Sequence, residues 1–229
     1  MSYVMNVAIL GAGSIARTMS KTIRGMKANG RPVELYAVAS RSLEKAQAFA
    51  AEEGVCKAYG SYEAMLADPE VHLVYIATPH SHHAEHVKLC LEHGRAVLCE
   101  KAFAGNARQA KEMLAMAREK NILCTEAIWT RYMPMVQSLE ALKSEPLLGE
   151  IRAVYADLGY PVWHKPRVQD IKLGGGALFD VGIYPLTFVD IMIGTDYEKL
   201  QKAEAAAILT FSGSTIDRLS DTDCDIRKL

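Results

Sequence analysis

Five short apolar runs, "NVAILGA", "VELYAVAS", "VHLVYIATP", "RAVLCEK" and "ILCTEAI", are separated by four amphipathic helical patterns between residues 6 and 128. This alternation constrains the chain more than any single residue does. Strands joined through helices, not tight turns, run parallel, and runs that are apolar at nearly every position are covered on both faces. The expected architecture is therefore α/β, a doubly wound parallel sheet over residues 1–126. Ser42 and Asn106 stand where helix caps belong, just ahead of "LEKAQAFAAEE" and "ARQAKEMLAMA".

After Ala127 the rhythm changes, and a second domain over 127–229 is expected. It offers a helix around "PMVQSLEALK", a strand through "GEIRAVYADLGY", and a glycine-rich entry, "GGGALFDVGIYPL", into an apolar helix. The expected fold of this part is an incomplete, open-sheet α+β domain. From Ser212 the sequence is polar and shows neither a helix nor a strand period, which predicts a weakly packed tail.

"GAGSIA" follows the first strand directly, with Gly11 and Gly13 at the glycine positions of G-x-G-x-x-G/A and Ala16 at the third small position. The first glycine permits a tight turn and the second lets a pyrophosphate approach backbone amides. The third small residue allows close packing of helix on strand. Ser14 and Ile15 open the helix whose positive end would face the phosphates. An ordinary glycine turn is the plain alternative. At the end of the second strand stand Ser40 and Arg41, where NAD-binding domains place a carboxylate for the ribose hydroxyls. A hydroxyl and a guanidinium suit a 2′-phosphate through charge-assisted hydrogen bonds, so NADP is expected ahead of NAD; the alternative is that Arg41 is a solvated loop residue.

Thr78, Pro79 and His80 fall at the carboxyl end of the next strand, where open sheets bind ligands. His82, His83 and His86 have the spacing of a metal cluster, but no third-ligand pattern completes it, so no metal is expected. Glu100 and Lys101 follow the strand after that. A lysine in a partly desolvated cleft favours an alkoxide as a hydride leaves, and Glu100 is the adjacent partner for its charge. Asp180 and Tyr184, four residues apart, share a helix face and make an acid/base set; alternatively, Asp180 caps the helix and Tyr184 packs in the core.

Taken in order, "GAGSIA", "TPHSHH", "LCEK", "EAIWTRYMP" and "GGGALFDVGIYP" resemble the Gfo/Idh/MocA oxidoreductase family over nearly all of residues 4–209. The resemblance implies a Rossmann domain, then an α/β domain with a large open sheet that usually forms a dimer. It implies that Lys101 and Tyr184 sit beside the nicotinamide, that Asp180 faces the substrate, and that Trp129 and Arg131 line the cleft. His83 falls on the histidine of the family's TPxxxH pattern and is expected at the cofactor. Two departures stand out: Ala102 occupies the place of the family's proline, and the family-like sequence fades after Leu209, as if the chain were truncated.

The expected function is hydride transfer between a nicotinamide and a hydroxyl-bearing carbon of an aldose or trans-dihydrodiol. The competing expectations are a nucleotide-binding fragment without turnover and an interaction protein with a vestigial site. The 26 basic and 27 acidic residues nearly cancel, with no basic block, which argues against nucleic acid and for a small-molecule substrate. Five cysteines without a CxxC pair suit a reducing cytoplasm. No leader pattern and no apolar run of bilayer length are read in the sequence.

Overall fold

The computed structural model describes residues 3–146, 149–162 and 164–194. The chain divides into two compact units after Ala127. The first unit is a six-stranded, all-parallel sheet in the order β3-β2-β1-β4-β5-β6. Its strands are β1 (Met5–Leu10), β2 (Val33–Ala39), β3 (Lys57–Tyr59), β4 (Leu73–Ile76), β5 (Ala96–Cys99) and β6 (Cys124–Glu126). The connecting helices are α1 (Ser14–Ala28), α2 (Leu43–Glu53), α3 (Tyr62–Leu66), α4 (His83–Glu92) and α5 (Ala107–Glu119). The parallel sheet anticipated from the alternating pattern is present, as a Rossmann arrangement.

Two apolar clusters sandwich the sheet, as its parallel pairing requires. One gathers Ala8, Leu10, Val74, Ile76, Val97 and Met113, the other Val7, Ile9, Leu35, Val38, Phe49 and Tyr75. Alternate residues of β1 therefore enter opposite cores. The caps read in the sequence are made: Ser42 Oγ accepts from the Lys45 amide at 3.3 Å and Asn106 Oδ1 from the Gln109 amide at 3.0 Å. Edge strand β3 and helix α3, which the sequence reading passed over, are pinned by Asp68. Its carboxylate accepts from the hydroxyls of Tyr36 (3.0 Å) and Tyr59 (2.6 Å), from Lys57 Nζ (2.8 Å) and from the Glu70 amide (3.1 Å).

Burial alone would raise the Asp68 pKa, but the bonds from Lys57, Tyr59, Glu70 and Tyr36 outweigh it and hold the carboxyl well below the usual carboxylate range. A carboxyl depressed in the folded state contributes stability above its unfolded pKa of about 3.9 and loses it as pH falls toward the folded value. Asp68→Asn is therefore expected to cost about 1–3 kcal/mol at neutral pH in urea denaturation, with the gap to wild type closing in strong acid. An equal gap at both pH values would show that the charge is not what matters.

The second unit, among the described residues, is helical. A 3₁₀ turn (Trp129–Tyr132) leads into α6 (Pro134–Ser144), followed by the short α7 (Pro166–Gln169), a π-helical turn (Leu178–Gly182) and α8 (Ile183–Ile193). The strand expected over 149–160 is not formed: this segment is irregular. A strand exists through its ladder bonds, and no described neighbour supplies them. No sheet through which copies could pair is seen among the described residues, and the tail from Ser212 lies outside them. One correction concerns apolar length. Ile171–Ile193 is long and apolar enough to cross a membrane by composition, contrary to the expectation that no such run exists. Gly174 (φ 73°) and Gly176 (φ 107°) break it, and the uninterrupted helical part, Leu178–Ile193, rises only about 24 Å, less than a bilayer core of about 30 Å.

Candidate active site

Register brings the candidate cofactor residues into line. Ala39, Leu10, Ile76, Cys99 and Glu126 are paired neighbours across the sheet, so β2, β1, β4, β5 and β6 all end on one row at the carboxyl edge. Just past that row stand Ser40 and Arg41, Gly11, Thr78, and Glu100 with Lys101. Chain order reverses at β1, since β2 and β4 flank it, and such a switch point opens a crevice at the strand ends.

The two glycines of "GAGSIA" do different work. Gly11 has φ +105°, and a Cβ there would lie 3.0 Å from the Ala77 carbonyl oxygen and 3.3 Å from Thr78 Cγ2. The fold itself demands glycine at 11. Gly13 is extended (φ −94°, ψ −171°), and a Cβ on it would meet nothing within 4 Å. The fold has no need of glycine at 13; a ligand approaching the backbone would. Gly13 is the N-cap of α1, which has neither a side-chain cap nor an acidic residue in its first turn, whereas α2, α3 and α5 are capped by Ser42, Ser61 and Asn106. Ser14 and Ile15 are exposed in that first turn, and Ala16 is buried against the sheet. The uncapped first turn of α1 and the open space beside Gly13 fit a pyrophosphate.

Arg41 is exposed and Ser40 half-buried. Arg41 lies close enough to Tyr62 and His86 for its charge to act on both. His86 Nδ1 is 2.9 Å from Thr78 Oγ1, and its ring is edge-on to Tyr62 and stacked with His82. His83 is fully buried. Its Nδ1 lies 2.7 Å from the Ala102 carbonyl and its Nε2 2.9 Å from that of Thr78. Burial pushes the His83 imidazole down to about 4. A neutral ring carries one N–H, so it donates to only one of these carbonyls, and the ring packs between the segment after β4 and the segment after β5. His80 packs edge-on against it, and Pro79 joins β4 to the turn that carries them.

Glu100 receives the Tyr75 hydroxyl on one carboxylate oxygen and the Lys101 amide, at 3.2 Å, on the other. It thus anchors the backbone of Lys101. The Lys101–Ala102 peptide bond is cis. The Phe103 amide then donates to Glu126 Oε1 at 2.8 Å.

In the second unit, Trp129 Nε1 donates to the Tyr184 hydroxyl oxygen at 3.1 Å. Indole N–H is only a donor, so the phenol oxygen is the acceptor in this pair. Both rings line a pocket of about 430 Å³ with Tyr155, Asp157, Tyr160 and Phe188. Aromatic walls with a phenol and a carboxylate suit a ring that carries hydroxyls. Arg131 is paired with Asp190 of α8. Asp180, 6 % exposed, sits in the π-helical turn, and Arg167 of α7 grips its carboxylate at 2.8 and 3.3 Å. Arg167 escaped the sequence reading, where "KPR" offered only an ordinary basic residue.

A glycine turn between strand and helix, the reversal of strand order and a row of strand ends at one carboxyl edge define a dinucleotide-binding Rossmann fold. Residues 5–128 match the Gfo/Idh/MocA family, described as an oxidoreductase family with an NAD-binding Rossmann fold, and the chain belongs to it. The trans-1,2-dihydrobenzene-1,2-diol dehydrogenase of Sus scrofa is 40 % identical over 186 residues, 81 % of this chain and 55 % of its own. Among solved structures, KijD10, a 3-ketoreductase from Actinomadura kijaniata in complex with NADP and TDP-benzene, superposes with a TM-score of 0.72 at 28 % identity, covering 84 % of this chain and 58 % of that one. The same ketoreductase has also been solved with one lysine changed to alanine and, separately, one tyrosine changed to phenylalanine. Levoglucosan dehydrogenase in complex with NADH and levoglucosan gives 0.71 at 25 %, covering 83 % and 54 %. The chain thus spans little more than half the length of the relatives it matches.

Proposed function

We propose that the protein is an NADP-dependent dehydrogenase that oxidises a hydroxyl-bearing carbon of a sugar or trans-dihydrodiol. The observation that carries this reading is the open backbone at Gly13 on an uncapped α1, placed at the row of strand ends. Gly11, Gly13, Ser14 and Ile15 would hold the pyrophosphate, Ser40 and Arg41 the 2′-phosphate, and Thr78, Pro79 and His80 the nicotinamide side, with His83 holding that loop. When bound, NADP⁺ supplies the acceptor for the hydride. Lys101, its backbone anchored through Glu100, favours the alkoxide that precedes hydride loss. Tyr184 takes the hydroxyl proton, and the substrate carbon, having lost H⁻ and H⁺, becomes a carbonyl. Trp129 orients the phenol, Asp180 accepts from a substrate hydroxyl, and Arg131 braces the rim through Asp190.

NADP is favoured over NAD by Arg41 and by the NADP-bound ketoreductase, and a hydroxylated ring by the aromatic pocket and the names of the relatives. A cytoplasmic location, an α+β second domain and a homodimer complete the reading; the first is supported by the free thiols of Cys56, Cys90, Cys99 and Cys124. The test is the rise in nicotinamide absorbance with NADP⁺ and D-xylose, D-glucose or a trans-dihydrodiol. Tight NADPH binding with no turnover on any of them would leave a nucleotide-binding protein in place of a dehydrogenase. Arg41→Ala is expected to weaken NADPH about ten- to a hundredfold and NADH little, by fluorescence titration; equal losses would remove the 2′-phosphate assignment.

A further inference from the structure

The segment from Pro166 to Asp180 folds back on itself to bring two charges together. Gly175 and Gly176 donate their amides to the carbonyls of Asp170 (3.0 Å) and Val168 (2.9 Å), and the Asp170 side chain caps the turn at the Lys172 amide (2.9 Å). A Cβ on Gly175 would lie 2.5 Å from the Val168 carbonyl oxygen and 2.8 Å from that of Asp170, so only glycine fits there. This close return places α7 against the π-helical turn and lays the Arg167 fork across both oxygens of Asp180. A bidentate guanidinium fixes a carboxylate in plane and favours its charged form. The other titratable side chains along Asp180's own helical stretch are Tyr184 and Asp190, the latter paired with Arg131.

We propose that Arg167 is a positioning residue that keeps Asp180 ionised and oriented, so that Asp180 only accepts a hydrogen bond from a substrate hydroxyl while the proton of the reaction goes to Tyr184. This rests on the oxidoreductase reading above, and it divides the labour of the Asp180/Tyr184 pair: one group holds, the other titrates. The guanidinium never leaves its charged state, so it can set the charge of Asp180 without exchanging a proton itself.

The test is a pH titration of the full chain labelled with [¹³Cγ]aspartate, in which the Asp180 resonance is identified by its loss in Asp180→Asn. In the wild type the signal is expected to titrate at a lower pH than in a variant that loses the Arg167 charge. In Arg167→Met it should protonate at higher pH, as an acid weaker by about tenfold or more. Arg167→Lys, which keeps the charge and loses the fork, should keep the carboxylate ionised while kcat falls severalfold and NADPH affinity stays constant. It also serves as the informative variant if Arg167→Met melts early. Identical Asp180 titrations in wild type, Arg167→Met and Arg167→Lys would overturn the proposal, as would unchanged kcat in both variants of an active enzyme. A wild type that turns over no substrate sinks the oxidoreductase reading instead, and the carbon titration then decides alone whether Arg167 governs Asp180.

Discussion

Tyr184→Phe is expected to lower kcat by about 10²–10⁴-fold while leaving NADPH affinity unchanged, which is the range that loss of a positioned proton acceptor produces. The Trp129 indole N–H, 3.1 Å from the phenol oxygen, can only donate, so the Tyr184 hydroxyl oxygen accepts in this pair and is held in place by it. Phenylalanine preserves the ring packing against Trp129, whose centroid lies 6.0 Å away, and removes only the oxygen. Nicotinamide absorbance under saturating NADP⁺ measures the loss, and fluorescence titration the affinity. A variant that turns over at the wild-type rate would assign the proton to another group.

Gly11→Val and Gly13→Val should fail in opposite ways. Valine at 11 must adopt φ +105° with its Cβ 3.0 Å from a main-chain oxygen. The backbone conformation alone costs about 1–2 kcal/mol, and the contact with rigid backbone adds to it, so the melting temperature should drop sharply. Valine at 13 takes an extended conformation open to any residue, and its Cβ meets no protein atom within 4 Å. Its stability should stay within about 0.5 kcal/mol of wild type, while NADPH binding weakens about tenfold or more, because the branched side chain stands where the pyrophosphate would approach. Thermal melts and binding titrations on the two purified variants separate the cases. A Gly13→Val protein with full NADPH affinity would remove the phosphate cradle from α1.

Where sequence patterns were long, they carried the fold. The runs that became β1, β2, β4 and β5, and the caps Ser42 and Asn106, are local signals strong enough to survive without tertiary information. The short strand β3, "KAY", and α3, "YEAML", span less than one repeat of a hydrophobic pattern, and the contacts that hold them converge on Asp68 from elements far apart in sequence. Residues 149–160 alternate like a strand, yet alternation describes a face and supplies no partner. The proposed cofactor residues stand at strand ends, a position that the run lengths already mark. The motif marks His83 by its place after β4; that its ring is fully buried between the Thr78 and Ala102 carbonyls is a tertiary fact no motif carries. The grip of Arg167 on Asp180 is likewise invisible to periodicity, since it depends on a glycine return.

The Ser42 cap draws a line for anyone who would retune this protein toward another nicotinamide. Arg41 is exposed and makes no structural bond on which α2 depends, while its immediate neighbour closes the first turn of that helix through the Lys45 amide. Whereas Ser40 is half-buried and ties its amide to the Tyr59 carbonyl at 3.1 Å, position 41 can be varied at little risk to folding. One residue further on, the same kind of exchange would unravel a helix end, so a library that randomises the whole "SRS" tripeptide would confound lost selectivity with lost structure.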